Sequence, residues 1–98
     1  MSLPAHPAIP PQLAEFIGCQ VVIDTDSSYV YIGNLESAGA DFFVLTNLDA
    51  HDTADTKTSK EFYTHETKSI GPRVNRKKTL IRAARVLSIC KMDDVLSF

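Results

Sequence analysis

The apolar residues cluster in short runs separated by polar turns, and β-branched and aromatic residues are frequent in these runs, as in β-strands. Five runs predict strands, at residues 19–24, 29–35, 42–48, 76–82 and 85–91. Only four residues separate the first strand from the second, and short connections join antiparallel neighbours. The first three strands are therefore predicted to form a meander. The last two flank a minimal break at Ala83-Ala84.

The N-terminal part predicts an extended arm followed by a short helix. Four of the five prolines fall within residues 1–11, which favours a poorly ordered arm over that range. The last two of them, Pro10 and Pro11, suit the start of a helix that stops at Gly18. The apolar stripe of this helix, expected to dock on the sheet, consists of Leu13, Phe16 and Ile17.

Residues 49–74 are too many for a bare loop in a compact domain, and they predict an inserted helix at about 59–69. Thr58 and Glu61 have the spacing of a capping box, which marks a helix N-terminus. Gly71 suits the left-handed residue that ends a helix. The apolar docking face of this helix is expected to comprise Phe62 and Tyr63.

Length and composition indicate one domain, over residues 12–98, after the arm. The chain has 98 residues, 44% of them hydrophobic, which is enough for a modest core without metal or disulfide cross-links. No apolar run approaches the roughly 18 residues that a membrane span needs, and the first residues do not resemble a secretory signal. Cys19 and Cys90 lack the number and spacing of a disulfide framework or a metal site. A reduced, cytoplasmic protein without a membrane partner is expected.

The net charge of −2 conceals a strong asymmetry along the chain. Residues 1–66 hold ten acids and two lysines, whereas residues 67–98 hold eight Lys or Arg and two acids. This distribution allows two interpretations. The basic segment binds a polyanion, or it packs beside the acidic segment of the same chain.

Two sequence motifs lie within this order of predicted elements. The first runs from Gly33-Asn34-Leu35 through a turn and the apolar residues 42–48 to Asp49-Ala50. The second is the segment from Leu80 to Val86, Leu-Ile-Arg-Ala-Ala-Arg-Val. Together they resemble the two motifs of the Sm-like family, and the resemblance covers about residues 11–91 without the insertion. It implies an all-β fold, a small and strongly bent five-stranded Sm-like barrel of the SH3-like type.

The resemblance also implies self-assembly. In the family, the fourth strand of one subunit pairs with the fifth strand of the next, and the subunits close into a ring. The same conclusion follows from the two apolar strands themselves, since exposed strand edges would otherwise aggregate. We expect a homo-oligomer of about five to seven subunits. Its interface residues are expected to be Leu80, Ile81, Val86, Leu87 and Ile89.

Members of the family bind single-stranded RNA, often rich in uridine, at the lumen of the ring. The corresponding residues here are Asp41, Phe42, Phe43, Arg82 and Arg85. Arg82 matches the family arginine, and either phenylalanine supplies a ring on which a base can stack. No Asn occupies the position that reads uracil. The alternative hypothesis is a ring that acts as a protein scaffold, with Arg82 and Arg85 paired to Asp41, Asp24 or Asp26.

A second basic cluster precedes and begins the fourth strand. It consists of Arg73, Arg76, Lys77 and Lys78, and it is interpreted either as an outer phosphate-binding patch or as a solvated strand end. His51, Asp52, Asp55 and His65 lie in and around the insertion, but their spacing matches no metal-ligand pattern. The sequence contains no phosphate-binding glycine loop and no catalytic triad signature. No enzyme activity, cofactor or metal is therefore predicted.

Overall fold

The computed structural model describes residues 9–97, and most of the predicted arm lies outside this range. It contains five β-strands and two α-helices. The elements in chain order are a 3-10 helix (Pro11–Phe16), β1 (Gln20–Thr25), β2 (Tyr29–Ala38), β3 (Phe42–Asp52), α1 (Thr53–Thr56), α2 (Lys60–Ile70), β4 (Arg76–Arg82), a 3-10 turn (Ala83–Arg85), β5 (Val86–Lys91) and a second 3-10 turn (Met92–Asp94).

The strands form one antiparallel sheet in the order β4-β3-β2-β1-β5. The fold is mostly β, and all five predicted strands are confirmed in their predicted order. Because β4 and β5 lie at opposite ends of this order, the sheet is open within one chain. The chain passes from one edge strand to the other through only three residues, Ala83–Arg85.

Gly33 lies where β2 and β3 approach each other closely. A Cβ atom at this position would be 2.5 Å from Leu48 Cβ, so only glycine fits. The register between β2 and β3 shifts at the same place, between Ile32 and Asn34. On β3, Asn47 has the unusual φ of 48°, as expected where an extra residue is accommodated. The close approach of the two strands at Gly33 therefore coincides with an irregularity in their pairing.

The sheet buries apolar side chains on both faces because successive residues of a strand point to opposite sides. One cluster is built around Val21, Ile23 and Leu45, and the N-terminal 3-10 helix packs against it. The other is built around Val22, Ile32, Tyr63 and Met92, so α2 and the C-terminal 3-10 turn cover the second face.

The helical predictions need three corrections. The N-terminal segment forms a 3-10 helix, in which no side chain caps the first turn. The inserted helix is confirmed at Lys60–Ile70 and ends at Gly71 with φ 87°, but its cap is Ser59 and not Thr58. The Ser59 hydroxyl accepts a hydrogen bond from Phe62 N at 3.0 Å. Helix α1, capped by Asp52, was not predicted.

Candidate nucleic-acid interface

The turn before β3 and the end of β4 meet at one corner of the sheet. Ala83 N donates a hydrogen bond to Asp41 O at 2.8 Å, and Phe42 lies directly opposite Arg82 in the β3–β4 register. Three of the five residues expected to contact RNA are thereby brought together, although some forty positions separate them along the chain. Within a tight β2–β3 turn, Gly39 N donates to Phe42 O at 3.0 Å.

The two phenylalanines at this corner point to opposite faces of the sheet. Phe42 is 42% exposed, whereas Phe43 is 7% exposed and packs in the first core cluster with Ile81. Phe43 therefore offers no face to a base, which corrects the expectation that either ring is available for stacking. Phe42 keeps an accessible ring beside Arg82.

The charges at the corner distinguish the two arginines. Arg85 Nε forms an ion pair with Asp26 Oδ1 at 2.9 Å, so Arg85 holds the β1–β2 turn. Asp24 is likewise engaged, with Lys60 Nζ at 2.5 Å. Arg82 is exposed, and within residues 9–97 its guanidinium has no ion pair.

Two depressions lie at this corner, and Arg82 lines one of them. A polar cavity of about 220 Å³ is lined by both arginines together with Thr25, Asp26, Ser27 and Tyr31. An apolar groove of about 550 Å³ lies nearby, and its walls include Ala38, Phe42, Val44 and Leu80. The corner thus combines a cation, an aromatic ring and room for a planar group.

The second basic cluster lies at the opposite end of β4. Arg73, Arg76, Lys77 and Lys78 are all exposed, and Lys78 Nζ pairs with Glu36 Oε2 at 3.3 Å. Six residue steps of extended strand, about 20 Å, separate Arg76 from Arg82. The chain therefore carries two separate basic regions.

The five residues expected at a subunit interface divide into three groups. Leu80 on β4 and Leu87 on β5 are 55% and 66% exposed. Val86 and Ile89 are half-buried and pack against the first core cluster. Ile81 is 6% exposed and belongs to the first core cluster. It follows Leu80 on the same strand, so its side chain points to the opposite face of the sheet. This corrects its assignment to the interface.

The insertion holds its polar residues in structural contacts. The His51 ring stacks on Tyr63 with the ring centroids 3.7 Å apart, and Asp52 caps α1. Within the described residues no three His, Cys, Asp or Glu side chains converge as metal ligands. The two cysteines do not face each other across the β1–β5 pair. Cys90 lies opposite Val22, which is three residues after Cys19 along the chain. Burial raises the pKa of the Cys90 thiol.

One buried polar contact was missed by sequence reasoning. Asp49 in the second half of β3 is 2% exposed, and its Oδ2 accepts hydrogen bonds from Tyr63 OH and from Arg73 N, the latter at 3.3 Å. Burial and the neighbouring carboxylate raise the pKa of Tyr63 to about 12. The only sequence signal was an acidic residue directly after an apolar strand, which is common in loops. Tyr63 docks the helix as predicted, whereas Phe62 is 59% exposed.

A scan of the sequence against protein-family models finds no match, and a search of curated proteins finds none. In the described part of the chain no helix is long and apolar enough to cross a membrane.

Proposed function

We propose that this protein is the subunit of an Sm-like homo-oligomeric ring that binds single-stranded RNA. The observation that carries the proposal is the position of β4 and β5. These two strands are the edges of the open sheet, and only the three-residue turn Ala83–Arg85 separates them along the chain.

Unpaired strand edges favour association with another chain, because their backbone N–H and C=O groups lack partners in the sheet. Here each edge also exposes a large apolar side chain, Leu80 on β4 and Leu87 on β5. Pairing the β4 edge of one copy with the β5 edge of the next covers both. Such a head-to-tail contact closes into a ring when the rotation from one subunit to the next is a whole-number fraction of 360°.

RNA binding is supported by the state of Arg82. Two acids near it are ion-paired elsewhere, Asp26 with Arg85 and Asp24 with Lys60. Within residues 9–97 the Asp41 carboxylate forms no ion pair with Arg82. A ring repeats the Arg82 guanidinium once per subunit, and an unneutralised collar of positive charge favours a polyanion. Phe42 beside it supplies a π-face, and base stacking on aromatic side chains tolerates every base.

The test is binding of oligo-U and oligo-A to the assembled protein over a range of salt concentrations. Arg82→Ala should weaken both oligonucleotides equally, because phosphate contacts carry no base information, and it should reduce the salt dependence. Arg73→Ala removes the same charge at the far end of β4 and serves as the matched control. Phe42→Leu should cost about 1–3 kcal/mol per stacked base, whereas Phe42→Tyr keeps the ring and the affinity.

Binding that is independent of salt, or equal losses for Arg82→Ala and Arg73→Ala, would contradict this assignment of the RNA site. Oligomeric mass is measured on the same samples, so that lost assembly is not mistaken for lost binding.

The second candidate is a ring that serves as a protein scaffold without RNA. It is favoured by the ion pairs Arg85–Asp26 and Lys78–Glu36, which neutralise two of the basic residues within the chain. The absence of an Asn at the uracil-reading position, noted from the sequence, points the same way. An assembled ring that binds neither oligonucleotide at low salt would favour the scaffold.

A further inference from the structure

A cavity of about 480 Å³ lies on the second face of the sheet, between helix α2 and the residues that follow the last 3-10 turn. Among the described residues, it shares no lining residue with the two depressions at the corner that holds Arg82. The cavity is therefore separate from the proposed RNA site, and one chain supplies its whole lining.

Most of the cavity lining is apolar. The strands contribute Val22, Val30 and Cys90, and the C-terminal residues contribute Val95 and Leu96. Small-molecule sites in proteins are typically concave, of about 300–1,000 Å³, and mostly apolar with a few polar groups. The cavity thus has the size and the composition to hold a compact apolar body.

The position of helix α2 over the cavity is fixed by polar contacts along its length. At its start, Lys60 Nζ bonds to the Asp24 carboxylate at 2.5 Å. In its middle, Tyr63 OH donates to Asp49, and near its end Lys68 Nζ donates to a backbone carbonyl at 2.9 Å. The cavity is therefore preformed, as binding sites for small molecules usually are.

The charges in the lining disfavour an anionic ligand. The lining contains two carboxylates, Asp24 and Glu61, and one ammonium group, that of Lys60. An ammonium group has three N–H donors. Lys60 Nζ already contacts three acceptors at 2.5–2.9 Å, the Asp24 carboxylate and two backbone carbonyls near the β1–β2 turn. An anion in the cavity would therefore find this ammonium fully engaged.

The Glu61 carboxylate can accept further hydrogen bonds. Its side chain is 81% exposed, and His65 Nε2 contacts its Oε1 at 2.8 Å. A carboxylate has about four lone-pair sites on its two oxygens, so this contact leaves room for another donor. A positively charged group at the mouth of the cavity can bind there.

We propose that this cavity binds a small organic cation, with a compact apolar body against Val22 and Val30 and an ammonium group at Glu61. The apolar lining supplies the affinity, and the carboxylate selects the charge. The site depends neither on the proposed ring nor on RNA, because it is complete within one chain.

The experiment compares three probes that share one ring and differ in charge: cyclohexylammonium, cyclohexanol and cyclohexanecarboxylate. Each is titrated into the full-length protein, and NMR follows the methyl signals of Val22 and Val30. Cyclohexylammonium should shift both signals and saturate in the millimolar range. Cyclohexanol should bind about two- to fivefold more weakly, as expected for the loss of one exposed charge contact. Cyclohexanecarboxylate should bind most weakly of the three.

Glu61→Gln tests the selection of charge, since it removes the charge and keeps an oxygen that accepts from His65. This variant should bind cyclohexylammonium as weakly as the wild type binds cyclohexanol, and its affinity for cyclohexanol should be unchanged. Glu66→Gln is the matched control, because it makes the same change on the same helix outside the lining. Leu96→Ala shortens an exposed apolar side chain of the lining and should weaken all three probes equally.

The absence of saturable shifts at Val22 and Val30 with cyclohexylammonium would overturn the site. Equal affinities for the three probes, or equal losses for Glu61→Gln and Glu66→Gln, would overturn the selection of a cation by Glu61. The oligomeric mass, measured on the same samples, separates this inference from the proposed function. A monomer that binds cyclohexylammonium as expected contradicts the ring and supports the cavity.

Discussion

Asp49 is a buried carboxylate that the fold must satisfy with hydrogen bonds. Burying an unpaired charge is costly, and here Tyr63 OH and Arg73 N–H meet the same oxygen. Since Tyr63 belongs to α2 and Asp49 to β3, this contact ties the insertion to the sheet. The stacking of His51 on Tyr63 adds a second tie between the same two elements.

Replacing this tyrosine tests the contact. Tyr63→Phe should lower the free energy of unfolding by about 1–3 kcal/mol, because the carboxylate keeps only the Arg73 N–H. Tyr29→Phe is the control, since its ring also stacks on a neighbour but its hydroxyl has no hydrogen-bond partner in the described range. Denaturant unfolding measures both. Equal effects of the two substitutions would contradict a special role for Tyr63.

The difference in stability between wild type and Tyr63→Phe should depend on pH. The fold raises the pKa of Tyr63 from 10.0 to about 12, so it favours the protonated phenol. The resulting stabilisation is fully present below pH 10 and is lost as the pH rises towards 12, because the unfolded chain releases the proton first. The stability difference between wild type and Tyr63→Phe should shrink over that interval. A difference that stays constant would contradict the raised pKa.

At the scale of elements, the observed N-cap of helix α2 lies one residue after the predicted one. Thr58 and Glu61 have the spacing of a capping box, but the hydroxyl that accepts from the helix backbone belongs to Ser59. Thr58 Oγ1 instead donates to Thr56 O at 3.4 Å. Both residues are small hydroxyl residues, so the sequence alone does not choose between them.

The cap can be assigned by a matched pair of substitutions. Ser59→Ala should lower the free energy of unfolding by about 1 kcal/mol, because Phe62 N loses its acceptor. Thr58→Ala should change it by much less. Thermal or denaturant unfolding of the two variants is the measurement. A larger effect for Thr58→Ala than for Ser59→Ala would contradict Ser59 as the N-cap and favour Thr58.

The strands were predictable because short apolar runs and the polar turns between them are signals that act over short range. β4 was predicted at its observed bounds, Arg76–Arg82. β3 extends to Asp52, four residues beyond its predicted end, since Asp49 to Asp52 look like a loop until their partners are known. Which of Phe42 and Phe43 faces outward also depends on turn geometry. The sequence therefore identified the corner but not its exposed ring.

For the whole molecule, the proposed assembly depends on the open edges of β4 and β5. Leu87→Asp puts a charge on the exposed β5 edge and should abolish assembly or precipitate the protein, because the charge would be buried against β4 of the next copy. Leu96→Asp is the control, since Leu96 is 81% exposed and lies beyond the edge strands. Light scattering measures the mass of each variant. Unchanged mass for Leu87→Asp would contradict pairing through this edge.

The mass of the wild-type particle tests the central claim most directly. Native mass spectrometry at micromolar concentration and low salt should give one closed species of about five to seven times the 10.8 kDa chain. That result would support a closed homo-oligomer, on which the proposed collar of Arg82 side chains depends. A single 10.8 kDa species under the same conditions would contradict the account, since the proposed RNA site depends on the ring.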